Sequence, residues 1–293
     1  MSLLRYAGTF PSVEECVKRA CETAWLALTI AVAPCASAGA QLGDIAIERE
    51  LEKYRAMMKA DPWSNPGMLD VDRGEALWKT PRGPKNVSLE GCDLGLGPGK
   101  IDGAFAGLPR YFQDADQVMD VEARVLWCMQ TLQGFDKAAL VTRPHPGSGS
   151  PATDLGAIAT YVAHGSNGLK FAAQFNHPKE KDMLALGEAV FNRRNGPMDF
   201  ACSTCHGESG KRIRLQPLPF FANPADAQKV VGEWPAYRVS TAHVMTMQHR
   251  IYDCFWQMRL PEVELASDVS VALISYLVKQ AKGGDINVPG MKR

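Results

Sequence analysis

Two thiols, a two-residue gap and an adjoining imidazole stand together at Cys202-Ser203-Thr204-Cys205-His206. This spacing is the attachment motif for a c-type haem: the cysteines add to the porphyrin vinyl groups and the histidine ring binds iron. One covalently bound haem c is therefore expected, with Cys202 and Cys205 as thioether anchors and His206 as proximal ligand. The second axial ligand must come from elsewhere, and His243, Met245, Met247, His249, Cys254 and Met258 are candidates. Methionine or histidine is the usual choice, though methionines also fill cores and the histidines suit a surface equally well. Arg250 lies four residues before Cys254. On a helix the two share a face, and the guanidinium can take an oxyanion through paired hydrogen bonds. A surface ion pair is the plainer reading of an arginine, and it serves as well for Lys211, Arg212, Arg214 and Arg259.

The 293-residue chain is 46% hydrophobic and 22% charged, which allows a real core, and its length suits two domains. Lys plus Arg (32) balances Asp plus Glu (32), so neither nucleic acid nor an anionic membrane is expected as partner. Lys18 and Arg19 precede an apolar run at residues 24–33, which Ala38-Gly39-Ala40 follows. Positive residues, a short apolar core and a small-residue end read as a secretory signal over residues 1–40, cleaved before Gln41. The run is too short to span a bilayer; a retained N-terminal anchor is the alternative. Export agrees with the haem motif. Cys16, Cys21 and Cys35 leave with the signal, and Cys92, Cys128, Cys202, Cys205 and Cys254 remain.

The elements that must position these groups read as helices. Apolar spacing and caps predict them over 44–60, 72–78, 118–132, 155–162, 179–191 and 267–279, with a loop at 143–151. Little alternates with period 2, so the class is mainly α. Gly74-Glu75-Ala76-Leu77-Trp78 resembles Gly187-Glu188-Ala189-Val190-Phe191, and a Gly-Pro pair follows each. Held at that offset, Leu89, Cys92 and Asp93 fall on Cys202, Cys205 and His206. Arg124-x-x-x-Cys128 likewise resembles Arg250-x-x-x-Cys254, with a different gap. Two cytochrome c-like domains related by duplication are expected, at 41–150 and 151–293, the first without haem. Cys92 and Cys128 would then face each other across a lost haem, and an oxidising compartment permits their disulfide. Closing a loop of about 37 residues contributes about 3–4 kcal/mol in the chain-entropy model. Cys254 is left alone. A free thiol in an exported protein is a liability, and iron ligation would hold it as a protected thiolate, so Cys254 is read as the distal ligand.

The stretches Cys202–His206, Arg250–Arg259, Gly91–Gly99 and Leu108–Phe112 resemble SoxA, the larger subunit of the SoxAX cytochrome complexes. The likeness covers most of the mature chain. It resembles the sort with one haem and a disulfide in the first domain, since the first site keeps one cysteine and has Asp93 in place of histidine. The resemblance implies an L-cysteine S-thiosulfotransferase of periplasmic thiosulfate oxidation. It would join thiosulfate to a cysteine of the carrier SoxY, which works with SoxZ. Electrons would leave through the SoxX subunit to a small soluble cytochrome c. In relatives the cysteine matching Cys254 is a persulfide and the active site, and the arginine matching Arg250 binds substrate. A plain electron-transfer cytochrome and a thiosulfate dehydrogenase forming tetrathionate are the other functions considered. A haem-based sensor lacks any signalling module in the sequence.

Overall fold

Gly74 and Gly187 sit where two helix pairs cross. The first pair is α1 (Met68–Lys79) with α4 (Asp154–His164), and the second is α5 (Pro178–Asn192) with α9 (Asp268–Gln280). A Cβ at Gly74 would lie 2.1 Å from the Ala157 carbonyl oxygen, and one at Gly187 would lie 2.0 Å from that of Ala272. Glycine alone lets the backbones approach so closely. The repeated Gly-Glu-Ala motif is thus the contact point of a repeated helix pair. Each partner helix starts on a hydroxyl cap: the Thr153 side chain accepts the Gly156 N–H, and that of Ser267 accepts the Ser270 N–H.

The computed structural model describes residues 46–292 apart from 48, 51, 55, 58, 59, 142–151, 214 and 215. The expected signal at 1–40 with its three cysteines, the loop at 143–151 and Arg214 lie outside the described residues. Residues 55–293 form one compact unit. No helix among the described residues is long and apolar enough to cross a membrane.

After each of α1 and α5 the chain makes the same tight loop. Arg82 bridges Val87, and Asn195 bridges Phe200, with Gly83 at φ 72° and Gly196 at φ 71°. The positive φ explains the glycine of both Gly-Pro pairs. The first loop runs into a 3-10 turn at Leu89–Gly91; the second runs into α6 (Cys202–His206).

The expected helix at 118–132 is shorter than its apolar spacing suggests. Residues 117–119 form β2, antiparallel to β1 (Arg110–Phe112), and α2 runs only from Val121 to Thr131, capped by Asp120. The same hairpin and helix recur later as β5 (Ala236–Arg238), β6 (His243–Met245) and α8 (Met247–Gln257). Three-residue strands are too short to display alternation, so the sequence hid them. A single turn, α3 (Lys137–Leu140), a minimal hairpin of β3 (Arg212–Ile213) and β4 (Gln216–Pro217), α7 (Pro224–Val231) and β7 (Gly290–Lys292) complete the named elements. The class is mainly helical, as expected.

Two apolar cores follow the repeat. Trp78, Leu89, Val125, Met129, Leu155, Ile158 and Val162 belong to the first, and Phe171, Phe191, Phe221, Ile251, Leu273 and Leu277 to the second. Helix α4 follows the expected 150/151 division yet packs into the first core. Cys92 and Cys128, both fully buried, are joined by a disulfide with Cα atoms 5.8 Å apart. The bond fastens the Leu89–Gly91 turn to α2.

Candidate haem and thiol site

Helix α6 is one turn long and carries the attachment motif. Ala201, just before it, is buried, and its N–H donates to Thr204 Oγ1 at 2.9 Å, which closes the turn. Cys202 and Cys205 are both free and half-buried. His206 Nδ1 lies 2.9 Å from the Pro219 carbonyl oxygen. A carbonyl only accepts, so Nδ1 carries the proton and Nε2 keeps its lone pair. The Phe221 ring stands 5.0 Å from the imidazole, backed by Phe191 of α5. Burial holds the His206 pKa below its ordinary value; the Pro219 hydrogen bond opposes this and the Arg250 charge adds to it. The neutral ring is the form that ligates metal.

Arg250, Asp253 and Cys254 come from α8. Thr246 caps that helix by accepting the His249 N–H at 3.2 Å. Burial first and the charge of Cys254 second push the Cys202 thiol up to about 12, and the same two causes raise Cys205. Cys254 is therefore near enough to act on both other thiols, although it is far from them in sequence. Arg250 is near enough to act on His206. Its Nη1 is 3.7 Å from Asp253 Oδ2, an ion pair too long for a hydrogen bond. The donor set fits haem c: two thiols on one helical turn, a neutral imidazole anchored by its far nitrogen, and a third thiol beside them.

The other axial candidates lie on β6 and on or beside α8. His243 and Met245 are buried in β6, where His243 Nδ1 meets the Thr241 carbonyl at 3.0 Å and Met245 packs on Trp234 and Ala236. Met258 is buried beyond the end of α8, Met247 packs at its start, and the His249 ring lies 6.3 Å from that of Tyr252. Arg259 stacks over Trp256 at 4.8 Å. Lys211 pairs with Glu208 at 3.1 Å, and Arg212 is exposed in β3.

In the first module Asp93 holds the position that corresponds to His206. Its Oδ1 accepts the N–H groups of Gly95 and Gly97 at 2.6 and 2.8 Å. Burial works against ionisation there, but those hydrogen bonds and the charges of Arg124 and Arg110 hold the carboxyl below its usual range. Asp93 is thus the centre of a loop.

Two features escaped the sequence reading. Arg238 on β5 feels the charges of Arg250, Asp253 and Cys254, so a second guanidinium belongs to the neighbourhood of the thiol. Asp120 and Glu122 are buried at the start of α2, facing the start of α8. Matching Pro109-x-Tyr111 to Pro235-x-Tyr237 would have revealed both, because it extends the Arg-x-x-x-Cys repeat backwards without a gap.

Comparison with known proteins agrees with this geometry. The family described as SoxA/TsdA, cytochrome c domain, matches residues 73–171 and 186–286. The L-cysteine S-thiosulfotransferase subunit SoxA of Hydrogenophilus thermoluteolus is 45% identical over 84% of this chain and 88% of its own length. The protein of the same name from Hydrogenobacter thermophilus is 35% identical over 82% and 89%. Among solved structures, SoxXA from P. pantotrophus superposes with a TM-score of 0.66 at 22% identity, over 81% of this chain and 83% of that one. At that identity the superposition speaks for the fold.

Proposed function

The chain belongs to the SoxA family, and from that premise we propose that it is an L-cysteine S-thiosulfotransferase subunit carrying one covalently bound haem c. What supports this reading is that Cys202, Cys205 and His206 stand on one helical turn, with Cys254 near enough to act on both thiols and Arg250 near enough to act on His206. Cys202 and Cys205 would hold the haem by thioether bonds, with His206 and Cys254 as axial ligands. Haem c bound there supplies a one-electron outlet and a ligand bond that keeps the Cys254 sulfur protected at rest.

In the proposed reaction Arg250 holds the sulfonate end of thiosulfate. The Cys254 thiolate and the outer sulfur of thiosulfate form an S–S bond, and two electrons leave one at a time to two equivalents of a cytochrome c acceptor. A thiolate of the SoxY carrier then attacks the sulfur that bears the sulfonate, and the Cys254 thiolate departs. The carrier cysteine ends as an S-thiosulfonate, having lost its proton to solvent. A persulfide on Cys254 would move the reacting sulfur one atom outwards without altering this balance. The partners in this reading are the SoxX cytochrome subunit, the SoxYZ carrier and a soluble cytochrome c. The compartment is the periplasm, reached by the signal at residues 1–40.

The test is Cys254→Met, a change that leaves a ligand for iron. With purified SoxYZ, thiosulfate and oxidised cytochrome c, mass spectrometry of the carrier should show the thiosulfonate adduct for the wild type and none for the variant. Wild-type turnover in the haem-loaded variant would sink the assignment. Tetrathionate formed without the carrier would favour the dehydrogenase reading.

A further inference from the structure

The first module is an internal control for the second. Residues 110–112, 117–119 and 121–131 of β1, β2 and α2 recur 126 positions later in β5, β6 and α8 (110 to 236, 117 to 243, 121 to 247). Arg124 thereby corresponds to Arg250 and Cys128 to Cys254. By the same register Phe112 corresponds to Arg238, Trp127 to Asp253, and Asp114 in the first hairpin turn to Ser240 in the second.

In the first module the arginine is saturated. Arg124 Nη1 and Nη2 donate to the two carboxylate oxygens of Asp114 at 2.9 and 2.8 Å, and Nε donates to the Asp93 carbonyl at 2.7 Å. Its guanidinium is sandwiched by Phe112 and Trp127, 4.0 and 4.4 Å from the ring centroids. A carboxylate of the chain occupies the fork, and aromatic faces cover it.

In the second module each of those satisfactions is missing. Ser240 has no charge to offer in place of Asp114, and Arg238 stands where Phe112 covers Arg124. Among the described residues Arg250 makes no side-chain hydrogen bond and has only the 3.7 Å pair with Asp253. Arg238 has one long contact, Nη2 to Ser240 Oγ at 3.4 Å, and no carboxylate within ion-pair distance. Its Nε is buried without a partner, as are Asp253 Oδ1 and His243 Nε2. Arg250 has only the Asp253 carboxylate at 3.7 Å and Arg238 has none within ion-pair distance, so of the two positive charges that act near Cys254 one is uncompensated. Buried idle donors cost free energy unless something fills them.

We propose that Arg238 is the second guanidinium of the anion site, gripping the sulfonate of thiosulfate together with Arg250 beside Cys254. The proposal rests on the thiosulfate reading above for the identity of the anion; the paired arginines themselves call only for a small sulfonate- or sulfate-like oxyanion. A dianion matches two cations better than one, and two forks fix the orientation of the sulfonate so that the outer sulfur is presented to Cys254.

The experiment uses the haem-loaded complex with its cytochrome partner. Arg238→Gln should raise KM for thiosulfate about 10- to 100-fold with a smaller change in kcat, while the optical and EPR signatures of the haem stay as in the wild type. Arg238→Lys should recover part of the loss. In an Arg250→Gln background, Arg238→Gln should cost less than it does alone, because both residues serve one anion. Thiosulfate binding to the oxidised complex without carrier, followed by calorimetry, should weaken by a similar factor in Arg238→Gln. A variant that binds and turns over thiosulfate as the wild type does overturns the proposal. Should Arg238→Gln fail to fold, phenylglyoxal labelling of the wild type decides: thiosulfate should protect both Arg238 and Arg250, and equal labelling of Arg238 with and without it overturns the proposal. A wild type that binds thiosulfate through Arg238 yet never modifies the carrier would refute the transferase reading and leave the anion site standing.

Discussion

Gln248 on α8 donates to both carboxylate oxygens of Asp120, the cap of α2, at 2.9 and 2.7 Å. Its backbone N–H reaches Glu122 Oε2 at 3.3 Å, and its side-chain Oε1 accepts the Ala266 N–H at 2.8 Å. The two duplicated helices therefore meet head to head through one polar clasp. The clasp ties the helix that bears Cys254 to the first module. Gln248→Ala takes the side-chain partner from the buried Asp120 carboxyl, leaving its helix-capping bond from the Ala123 N–H, and should cost about 1–3 kcal/mol, read as a lower urea midpoint. Because α8 carries Arg250 and Cys254, thiosulfate conjugation should fall with it; a variant as stable as the wild type would show the clasp to be idle.

Glu122 gives the clasp a pH dependence. Burial first, and the neighbouring Asp120 second, raise its pKa from 4.5 to about 8; burial also raises Asp120. The folded protein then binds more protons than the unfolded chain between about pH 4.5 and 8, so stability falls as pH rises through that window. Glu122→Gln keeps an acceptor and removes the titration. Urea midpoints at a series of pH values from 5 to 8.5 should decline in the wild type and flatten in the variant. Parallel curves would refute the assignment.

The Cys92–Cys128 bond closes a loop with a sequence separation of 36. Replacing both residues by alanine should cost about 3–4 kcal/mol from the unfolded-state term, with a further loss for the two small cavities. Haem content should persist, since Cys202, Cys205 and His206 lie in the other core. Loss of haem together with the disulfide would mean that the two modules fold as one.

Gly187→Ala drives a Cβ to 2.0 Å from the Ala272 carbonyl oxygen, a contact that only separation of α5 and α9 can relieve. Loss of several kcal/mol is expected, and with it weaker seating of Phe191 behind Phe221 and His206. Haem incorporation should drop. Gly74→Ala makes the equivalent clash in the first module, and should lower stability with less effect on haem. Equal haem loss in both would contradict this separation.

Much of the site could be read along the chain because its chemistry is local. Cys202, Cys205 and His206 lie within one turn, and Arg250 and Cys254 are one turn apart on the same helix. The repeat was legible through Gly74 and Gly187, but that these glycines mark the crossing of two helix pairs came from the structure. The hairpins were not, because three residues carry no period. The extent of the first core was not either, since α4 follows the residue-150 division that linker-like residues suggested.

By itself the sequence determined the haem motif, the duplication and the family, all properties of residue type and spacing. Only the tertiary structure decided which charges are spent and which are free. Arg124 and Arg250 sit in the same motif and look alike in one dimension. One is locked by Asp114 and two aromatic faces, and the other has only a 3.7 Å pair with Asp253. That difference arises because electrostatic satisfaction depends on neighbours brought from a separate hairpin, and no local pattern in α2 or α8 records it.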